Sequence, residues 1–471
     1  MQVGLACIAI FLLMAALMYS RRVSALLALP IMAVLIAVIG GIPGKDIIDE
    51  VLTKGATKLN TAYTTTMFGA VLAELINRHG IAKAMVRWVA EFSGDSPFVL
   101  AVALTLLTAL LFSSLGGLGA VIMVGTVVLP VMLSIGIPAA TAGALYLFGI
   151  SLGGMYNLGN WALYMNVLEL QQPQIVAYVV PFTACIAAVV VLFLLIEQWS
   201  WRNLQYAAFA LLLLGGGFAA FNQSAGQSLG AATKAATTEP NPASLVGAGV
   251  VLLMLCGYAM MRHGAKASSL PALAFLSPAV PLILVLAFQW QIIPAFLVGI
   301  TFAVLVTWQK GSINTLTRSI IDGIATVAPA VALMIGIGML LNAVMHPTIS
   351  TAIKPLLEHI IPQNPIFYVL GFTIFAPLAL YRGPFSLFGM GAGLVTLIKE
   401  TQILGGRAIM GMLMSVGQLQ GICDPTNTHN VWIATYLGTD TQVLLRKTIP
   451  YAWTMVILGL ILAVMLGYVP K

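Results

Sequence analysis

The most polar run inside an apolar stretch of this chain spans residues 424–430 and reads Asp-Pro-Thr-Asn-Thr-His-Asn. Pro425 interrupts a helix, and the carbonyls freed there join hydroxyl and amide oxygens as hard ligands. Such ligands suit Na⁺ or a hydroxylated solute. Asp424 can neutralise a cation or carry a proton, and His429 titrates near neutral pH. A structural hydrogen-bonding role is the alternative for His429.

An arginine stands in a second apolar stretch, where residues 381–386 read Tyr-Arg-Gly-Pro-Phe-Ser. A guanidinium in apolar surroundings is expected to face a cavity and a partner, because its desolvation is expensive. The planar fork of Arg382 suits a carboxylate. Snorkelling to an interface, or pairing with Asp424, is the structural alternative.

Two runs in the first half interrupt apolar stretches with glycine, residues 113–119 (SSLGGLG) and 153–160 (GGMYNLGN). Residues 113–119, like 381–386, are a predicted hairpin tip, where short half-helices present N–H groups and a positive dipole end to an anion. The break at 153–160, like that at 424–430, supplies carbonyl and asparagine oxygens that suit Na⁺ or a hydroxylated solute. A packing kink is the alternative for Gly116 and Gly117.

Taken together, these four runs supply two sets of candidate residues. The candidate substrate-binding residues are Ser113, Ser114, Gly116, Gly117, Asn157, Asn160, Arg382, Gly383, Ser386, Thr426, Asn427, Thr428 and Asn430. The candidate coupling-ion residues are Asn157, Asp424, Asn427 and His429. Na⁺ is the one metal that the pattern suggests, and no other cofactor and no catalytic residue is predicted.

Composition identifies the environment of these residues. The 471-residue chain is 60% hydrophobic and 7% charged, whereas soluble domains carry about 25% charged residues. The net charge of +7 comes from scattered bases, which argues against nucleic acid. Four cysteines without a CxxC pair argue against a disulfide framework or zinc site. The sequence has no HExxH, GxSxG or nucleotide-binding loop, which argues against an enzyme or an ATP-driven pump.

Many apolar segments are long enough to span a bilayer core of about 30 Å. Two further stretches, 97–135 and 365–398, carry a glycine-rich break and are predicted to be re-entrant hairpins, with full crossing as the alternative. The predicted spans are 3–20, 23–41, 56–77, 138–169 (broken), 175–197, 205–221, 245–261, 272–288, 291–308, 321–345, 407–438 (broken) and 449–469.

The two halves of the chain match at an offset close to 268 residues. Order and spacing are kept over a long stretch, which a chance coincidence of glycine and proline does not explain. The matched pairs include Gly55 with Gly323, Pro97 with Pro365, Gly149 with Gly417, and, with a small slip, Asn157 with Asn427 and Asn160 with Asn430.

Basic residues give the orientation, because Lys and Arg accumulate in cytoplasmic loops. With non-crossing hairpins, one side holds 12 bases and the other 8. The second repeat then starts on the opposite side from the first, so the repeats are inverted. The inside bases are Arg21, Arg22, Arg78, Lys83, Arg87, Arg202, Arg262, Lys266, Lys310, Arg318, Arg446 and Lys447. The outside bases are Lys45, Lys54, Lys58, Lys234, Lys354, Lys399, Arg407 and Lys471.

The predicted fold is an all-α integral membrane protein with two inverted repeats of five spans plus one re-entrant hairpin each. The first repeat covers residues 1–200 and the second covers 269–471. A two-span connector at 201–268 joins them and contains a polar, flexible linker at 222–242.

Two other acidic residues receive structural predictions. Glu74 lies near the cytoplasmic end of the third span and is expected to pair with a nearby base. Asp322 is expected to begin a helix, where its charge favours the helix dipole.

This doubled pattern resembles the ion transporter superfamily, which includes citrate, gluconate and dicarboxylate permeases and divalent-anion/sodium symporters. The resemblance rests on a scaffold helix pair, a glycine-bearing third helix, an in-plane helix at 80–94, a hairpin and a helix broken at Asn. It implies an elevator mechanism with a dimeric scaffold. In the symporters a Ser-Asn-Thr motif sits at the hairpin tips, whereas here Thr426-Asn427-Thr428 sits in a helix break, so dicarboxylate specificity does not transfer.

The sequence therefore predicts a multi-pass secondary active transporter of the inner (cytoplasmic) membrane. The leading hypothesis is symport of a small organic anion, a carboxylate, with H⁺ or Na⁺. The alternative is a Na⁺/H⁺ antiporter without organic substrate, in which Asp424 binds the ions and Arg382 is its counter-ion. The expected partners are the organic anion, the lipid bilayer and a second copy of the chain.

Overall fold

The computed structural model of the chain is helical throughout its described part, which contains no strand. The predicted linker at 222–242 lies outside the described residues except for Pro242. The described residues are 2–20, 22–93, 96–212, 242–265, 270–357, 361–362, 364–382, 385, 395, 398–399 and 402–469.

The first half is a run of helices that closely follows the predicted spans. Its helices are α1 (Gln2–Tyr19), α2 (Ala25–Ile39), α3 (Asn60–Arg78), α4 (Ile81–Phe92), α5 (Pro97–Phe112), α6 (Gly117–Ser134), α7 (Ala139–Met155), α8 (Leu158–Leu168) and α9 (Gln172–Glu197). Short turns at Gly44–Asp46 and Gly55–Thr57 flank a π-helical segment, Ile47–Lys54, where the sequence predicts a loop.

The connector and the second half continue the series. A helix α10 covers residues 201–212. The remaining helices are α11 (Pro242–Ala265), α12 (Val280–Ala287), α13 (Ile292–Val306), α14 (Ser312–Met345), α15 (Pro347–Leu357), α16 (Pro365–Phe375), α17 (Gly406–Cys423), α18 (Thr428–Tyr436) and α19 (Thr441–Met465). Two 3₁₀ segments lie at Ala272–Leu276 and Ala376–Arg382.

Helix boundaries repeat along the chain. When they are moved by 268 residues, α2, α7, α8 and α9 fall on α13, α17, α18 and α19 to within two residues at either end. The same local signal starts α5 and α16, because Ser96 and Asn364 each cap the helix with a side-chain oxygen ahead of a proline. The duplicated pattern therefore extends from residue types to helix ends.

The two broken helices, α7–α8 and α17–α18, cross each other in opposite directions. As residue numbers rise along the first, the numbers of its neighbours on the second fall. The neighbouring pairs are Gly143 with Ile433, Ser151 with Gln418, and Leu168 with Gly406. This antiparallel crossing is the arrangement that inverted repeats require.

A second crossing, between the chain around α3 and α14, is reciprocal. Gly55 packs against the backbone of Gly338, and Gly323 packs against the backbone of Ala70. Adding 268 to positions 55 and 70 gives 323 and 338. The repeat offset therefore converts the first contact into the second. A local two-fold axis produces this exchange, as it does in an isologous dimer.

The first hairpin enters and leaves at one end of α7. α5 runs parallel to α7, and α6 returns antiparallel to it, with the Tyr146 hydroxyl donating to the Val121 carbonyl at 2.7 Å. The neighbours that set the direction of α5 are Thr108 with Gly149 and Phe112 with Gly153. Residues 97–135 thus form a helical hairpin, and because α6 is long and apolar enough to cross a membrane, re-entrance of this hairpin stays a prediction. Most of the chain beyond residue 382 in the second hairpin lies outside the described residues.

Ion pairs agree with the predicted sidedness. Each of the five ion pairs in the described part joins two residues that the predicted spans put on the same side of the membrane. The pairs are Glu50–Lys54, Glu74–Arg78, Arg78–Asp322, Glu169–Lys399 and Glu197–Lys447. Glu74 pairs with Arg78 Nε at 2.8 Å, as predicted. The prediction for Asp322 is wrong, because it lies inside α14 and pairs with Arg78 across the α3–α14 crossing.

Four helices of the described part are long and apolar enough to cross a membrane, namely α6, α9, α14 and α19. The pair α7–α8 qualifies as a fifth span that is bent by 51°. The chain is thus a multi-pass membrane protein by helix length and composition.

The predicted span at 272–288 is not one continuous helix. A 3₁₀ turn ends at Leu276, residues 277–279 leave helical hydrogen bonding, and α12 starts at Val280. Pro278 and Pro281 account for the break, because each lacks an N–H and clashes with the preceding turn. The matching helix of the first half, α1, is continuous.

We expect Gly323→Ala to destabilise the protein by about 1–3 kcal/mol, because the new Cβ would lie 2.8 Å from the Ala70 carbonyl oxygen. Gly257→Ala is the matched control, since an added Cβ there meets no atom within 4 Å. Melting temperatures of the purified proteins in detergent measure the effect. A Gly323→Ala protein as stable as the parent would contradict the tight crossing.

Candidate functional site

The first helix break lies between α7 and α8 and is held by Asn157. Its Oδ1 caps α8 by accepting from the N–H groups of Gly159 at 3.1 Å and Asn160 at 3.2 Å. Its Nδ2 donates to the carbonyls of Phe112 at 3.4 Å and Leu115 at 3.2 Å, which belong to the hairpin tip. Asn157 thus joins the break to the tip, and these bonds occupy both ends of its carboxamide.

The first hairpin tip faces protein on one side and a small cavity on the other. Ser113 donates back to the Leu110 carbonyl, and Ser114 donates to the Pro278 carbonyl in the broken span of the second half. Both serines are buried. The structure therefore gives Ser113 a local bond within its own helix and places Ser114 in a docking contact with the second half.

The start of α6 borders the cavity. Gly117 has a φ of +82°, a conformation that glycine adopts without strain. Gly116 is the N-cap and supplies no side-chain cap. A cavity of 60 Å³ lies beside it, lined also by Glu74, Asn77 and Thr326. Free N–H groups at a helix start favour an anion, whereas Glu74 at the same cavity opposes one.

The second helix break lies between α17 and α18 and contains a fully buried carboxylate. Asp424 Oδ1 accepts from the Thr426 backbone N–H at 2.8 Å and from its hydroxyl at 2.6 Å. This is an Asx-type turn, in which an aspartate side chain holds the backbone two residues on. A carboxylate buried in a membrane span is the expected mark of an ion or substrate site.

Amides bridge both breaks in the same way. Asn430 Nδ2 donates to the Asp424 carbonyl at 2.9 Å, and Asn160 Nδ2 donates to the Gly154 carbonyl at 3.4 Å, six residues back in each case. Asn430 also donates to the Ile422 carbonyl. These bonds satisfy carbonyls that the interrupted helices leave open. Within the described residues, the buried Asn430 Oδ1 has no hydrogen-bond donor.

Two further predicted residues also bond to the end of α17. Asn427 Nδ2 donates to the Gln420 carbonyl at 3.0 Å, and the His429 Nε2 lies 3.1 Å from the Gly421 carbonyl. Thr428 begins α18. The structure thus gathers the candidates from Asp424 to Asn430 around one break.

Sequence reasoning missed the residues that join the two breaks. The Ser151 hydroxyl donates to Gln418 Oε1 where α7 crosses α17, and Gln418 Nε2 lies 3.1 Å from Met155 Sδ. Gln418 is buried in a span, which is the signal that could have identified it. An added Cβ at Gly154 or Gly417 would meet no atom of the described residues within 4 Å.

The second hairpin tip is only partly described. Arg382 ends the 3₁₀ segment, and Tyr381 before it has a φ of +56°, a left-handed conformation that non-glycine residues rarely adopt. Gly383 and Ser386 lie outside the described residues. Their predicted substrate contacts, and that of Arg382, stay predictions.

Comparisons with known proteins give little. No protein-family model and no curated protein matches the chain. A solved structure, the Alcanivorax borkumensis YdaH transporter, is similar at 13% identity and a TM-score of 0.47, covering 90% of this chain and 88% of that one. Neisseria gonorrhoeae MtrF, described with a class of antimetabolite efflux pumps, is similar at 12% identity and a TM-score of 0.48, covering 89% and 82%. These values are too low to assign a family.

We expect Asn157→Ala to destabilise the protein by about 2 kcal/mol, because it removes an N-cap and leaves buried groups unpaired. Asn157→Ser keeps a capping oxygen and loses the donation to the hairpin tip without adding a charge, so its effect should be smaller. The matched control is Asn364→Ala, which removes an exposed N-cap from α16. Detergent unfolding curves rank the variants, and equal losses for Asn157→Ala and Asn364→Ala would refute the tie between tip and break.

Proposed function

We propose that this chain is a secondary active transporter that couples uptake of a small organic anion, a carboxylate, to H⁺ or Na⁺. The observation that carries the proposal is the antiparallel crossing of two interrupted helices, each with buried polar groups at its break. Non-helical backbone at membrane depth is tolerated only where it lines protein or an aqueous cavity. Inverted repeats around such breaks allow one site to open to either side in turn.

The second break supplies the cation half of the proposal. Asp424 provides a negative charge in a fully buried position, and Asn430 in the same break provides a buried oxygen without a donor. Carboxylate and amide oxygens are hard ligands that suit Na⁺, and a carboxylate alone suits a proton. We place the coupling cation at this break.

The anion half of the proposal rests on Arg382 and on the start of α6. An arginine in an apolar hairpin is expected to face a cavity with an anionic partner. Its guanidinium can hold a carboxylate with two parallel hydrogen bonds. Helix N-termini at the tips add partial positive charge.

The mechanism that fits these parts is an elevator. The hairpins and the broken helices form the moving unit, and the α2, α3, α13 and α14 group forms the scaffold, which pairs with that of a second copy. The chain acts in the inner membrane. The elevator, the dimeric scaffold and the inner-membrane location are what the resemblance to the ion transporter superfamily implies, and we include them in the proposal.

Uptake of radiolabelled carboxylic acids into proteoliposomes tests the anion role. We expect Arg382→Gln to reduce the uptake rate by about tenfold or more, because a charge-assisted bond to the carboxylate is lost. Arg318→Gln, an exposed arginine inside α14, carries the same change and should transport normally. Equal uptake by Arg382→Gln and the parent would remove Arg382 from the site.

A Na⁺/H⁺ antiporter without organic substrate is the second candidate, and the buried Asp424 favours it. Here Asp424 would bind Na⁺ and H⁺ in turn, and Arg382 would be its counter-ion. An imposed Na⁺ gradient would then move protons with no carboxylate present, which a pH dye inside the liposomes detects. Proton movement that requires a carboxylate would exclude this candidate.

Asp424→Asn should abolish the response to a cation gradient in either case, since the charge that binds the cation is removed. We expect a fall of about tenfold or more in gradient-driven transport. The control is Asp440→Asn, because Asp440 is an exposed N-cap of α19 and Asn caps equally well. Unchanged coupling in Asp424→Asn would place the cation elsewhere.

A further inference from the structure

A cavity in the described residues lies away from both helix breaks. It measures 530 Å³ and opens where α8 and α14 end and α17 begins, next to the end of α19. The charge count puts this face on the outside. Its volume falls within the range of about 300–1,000 Å³ that is typical of small-molecule sites.

Two cationic side chains line this cavity. Lys399 is largely buried, and its Nζ lies 2.7 Å from Glu169 Oε1 and 3.3 Å from the Val167 carbonyl oxygen. Arg407 lies over the Tyr468 ring, with its Cζ 5.3 Å from the ring centre. Among the ion pairs of the described chain, Arg407 takes part in none. Among the described lining residues, one carboxylate therefore faces two cations, which makes this part of the lining net positive.

A ligand can displace the Glu169 carboxylate, which is the acidic group among the described lining residues, from Lys399. The Glu169 side chain is 69% exposed, whereas that of Lys399 is 17% exposed. A surface ion pair of this kind contributes little, about 0–1 kcal/mol. An entering anion can therefore replace Glu169 at Lys399 while the Glu169 carboxylate stays in water.

The remaining wall also favours an anion. Gly406 and Arg407 are the first residues of α17, and the N-cap Gly405 has no side chain to bond their N–H groups. Glu169 and Gln402 both have positive φ and both line the cavity, and such backbone outliers cluster at ligand sites.

We propose that this cavity binds a small carboxylate on the outer face, held by Arg407 and Lys399, before it reaches the transport site. The proposal deepens the proposed function and rests on it for the identity of the solute. Arg407 would hold the carboxylate with its fork, and Lys399 would supply a second point charge.

Citrate is the probe, and its binding to purified full-length protein in detergent is measured by equilibrium dialysis. The measurements use an Arg382→Gln background, so that binding at the proposed transport site does not obscure the result. We expect residual citrate binding in that background, and we expect Arg407→Gln to weaken it about tenfold. Arg407→Lys should keep part of it, because the charge remains while the fork is lost.

The matched control is Arg446→Gln, an exposed arginine at the opposite end of α19, which should bind citrate normally. If Arg407→Gln does not fold, Lys399→Gln makes the same test. No residual binding in Arg382→Gln, or undiminished binding in Arg407→Gln, overturns the outer site. Bound phosphatidylglycerol that citrate cannot displace also overturns it, by assigning the cavity to lipid.

The two proposals fail separately. If the parent protein takes up no carboxylate but binds citrate in an Arg407-dependent manner, the transport function is wrong and the outer site stands. If the parent protein transports a carboxylate and Arg407→Gln binds citrate as the parent does, the outer site is wrong and the transport function stands.

Discussion

A peptide group in hydrocarbon has no water to bond, so each helix break inside a membrane must find protein partners for the N–H and C=O groups it frees. In this protein asparagine supplies them. Asn157 caps α8 and reaches the hairpin tip, while Asn160 and Asn430 each return to a carbonyl six residues back. The position of the hairpin, the bend of the fourth span and the shape of the buried polar region all depend on these bonds.

The same kind of amide bridge appears at both helix breaks, as the predicted repeat leads us to expect, and the two breaks differ in charge. Both breaks carry an amide bridge, yet only the second carries a carboxylate, Asp424. The reciprocal contacts of Gly55 and Gly323 place the two halves around a common axis, where a side chain larger than hydrogen would separate the backbones. The scaffold is nearly symmetric, and the polar centre is not.

Much of the fold could be predicted from the sequence, because helix ends carry local signals. Proline after a capping residue marks the starts of α5 and α16, and glycine with asparagine marks the breaks. The positions of the candidate residues near Asp424 could be predicted for the same reason. The partners could not be predicted. Asn157 was expected to face a ligand, but the carbonyls that it bonds come from a hairpin 42 and 45 residues away.

Other features depend on three-dimensional neighbours in the same way. The local sequence predicts that Asp322 begins a helix. It does not indicate the ion pair with Arg78, which lies 244 residues away in the chain and contacts Asp322 where α3 crosses α14. The break at Ser277–Ala279 was expected to be a continuous span because hydropathy does not distinguish a proline-broken segment from a straight one. Gln418 was not among the predicted site residues, because its partner Ser151 lies on the other broken helix.

The docking of Ser114 on the Pro278 carbonyl has a consequence for the energies of the states between which such a protein moves. The receiving carbonyl lies in the break before α12, whereas α1, the helix that matches this region in the first half, is continuous. A state in which the two halves exchanged positions would not keep the bond from Ser114 to the Pro278 carbonyl. Its free energy would therefore differ from that of the state described here. A hydroxyl or carbonyl left unpaired in a buried place costs about 1–3 kcal/mol, which corresponds to roughly a 5- to 150-fold difference in population. If the chain alternates between two such states, as the proposed function requires, the state with this hairpin docked has the lower free energy, and a bound solute would have to supply the difference.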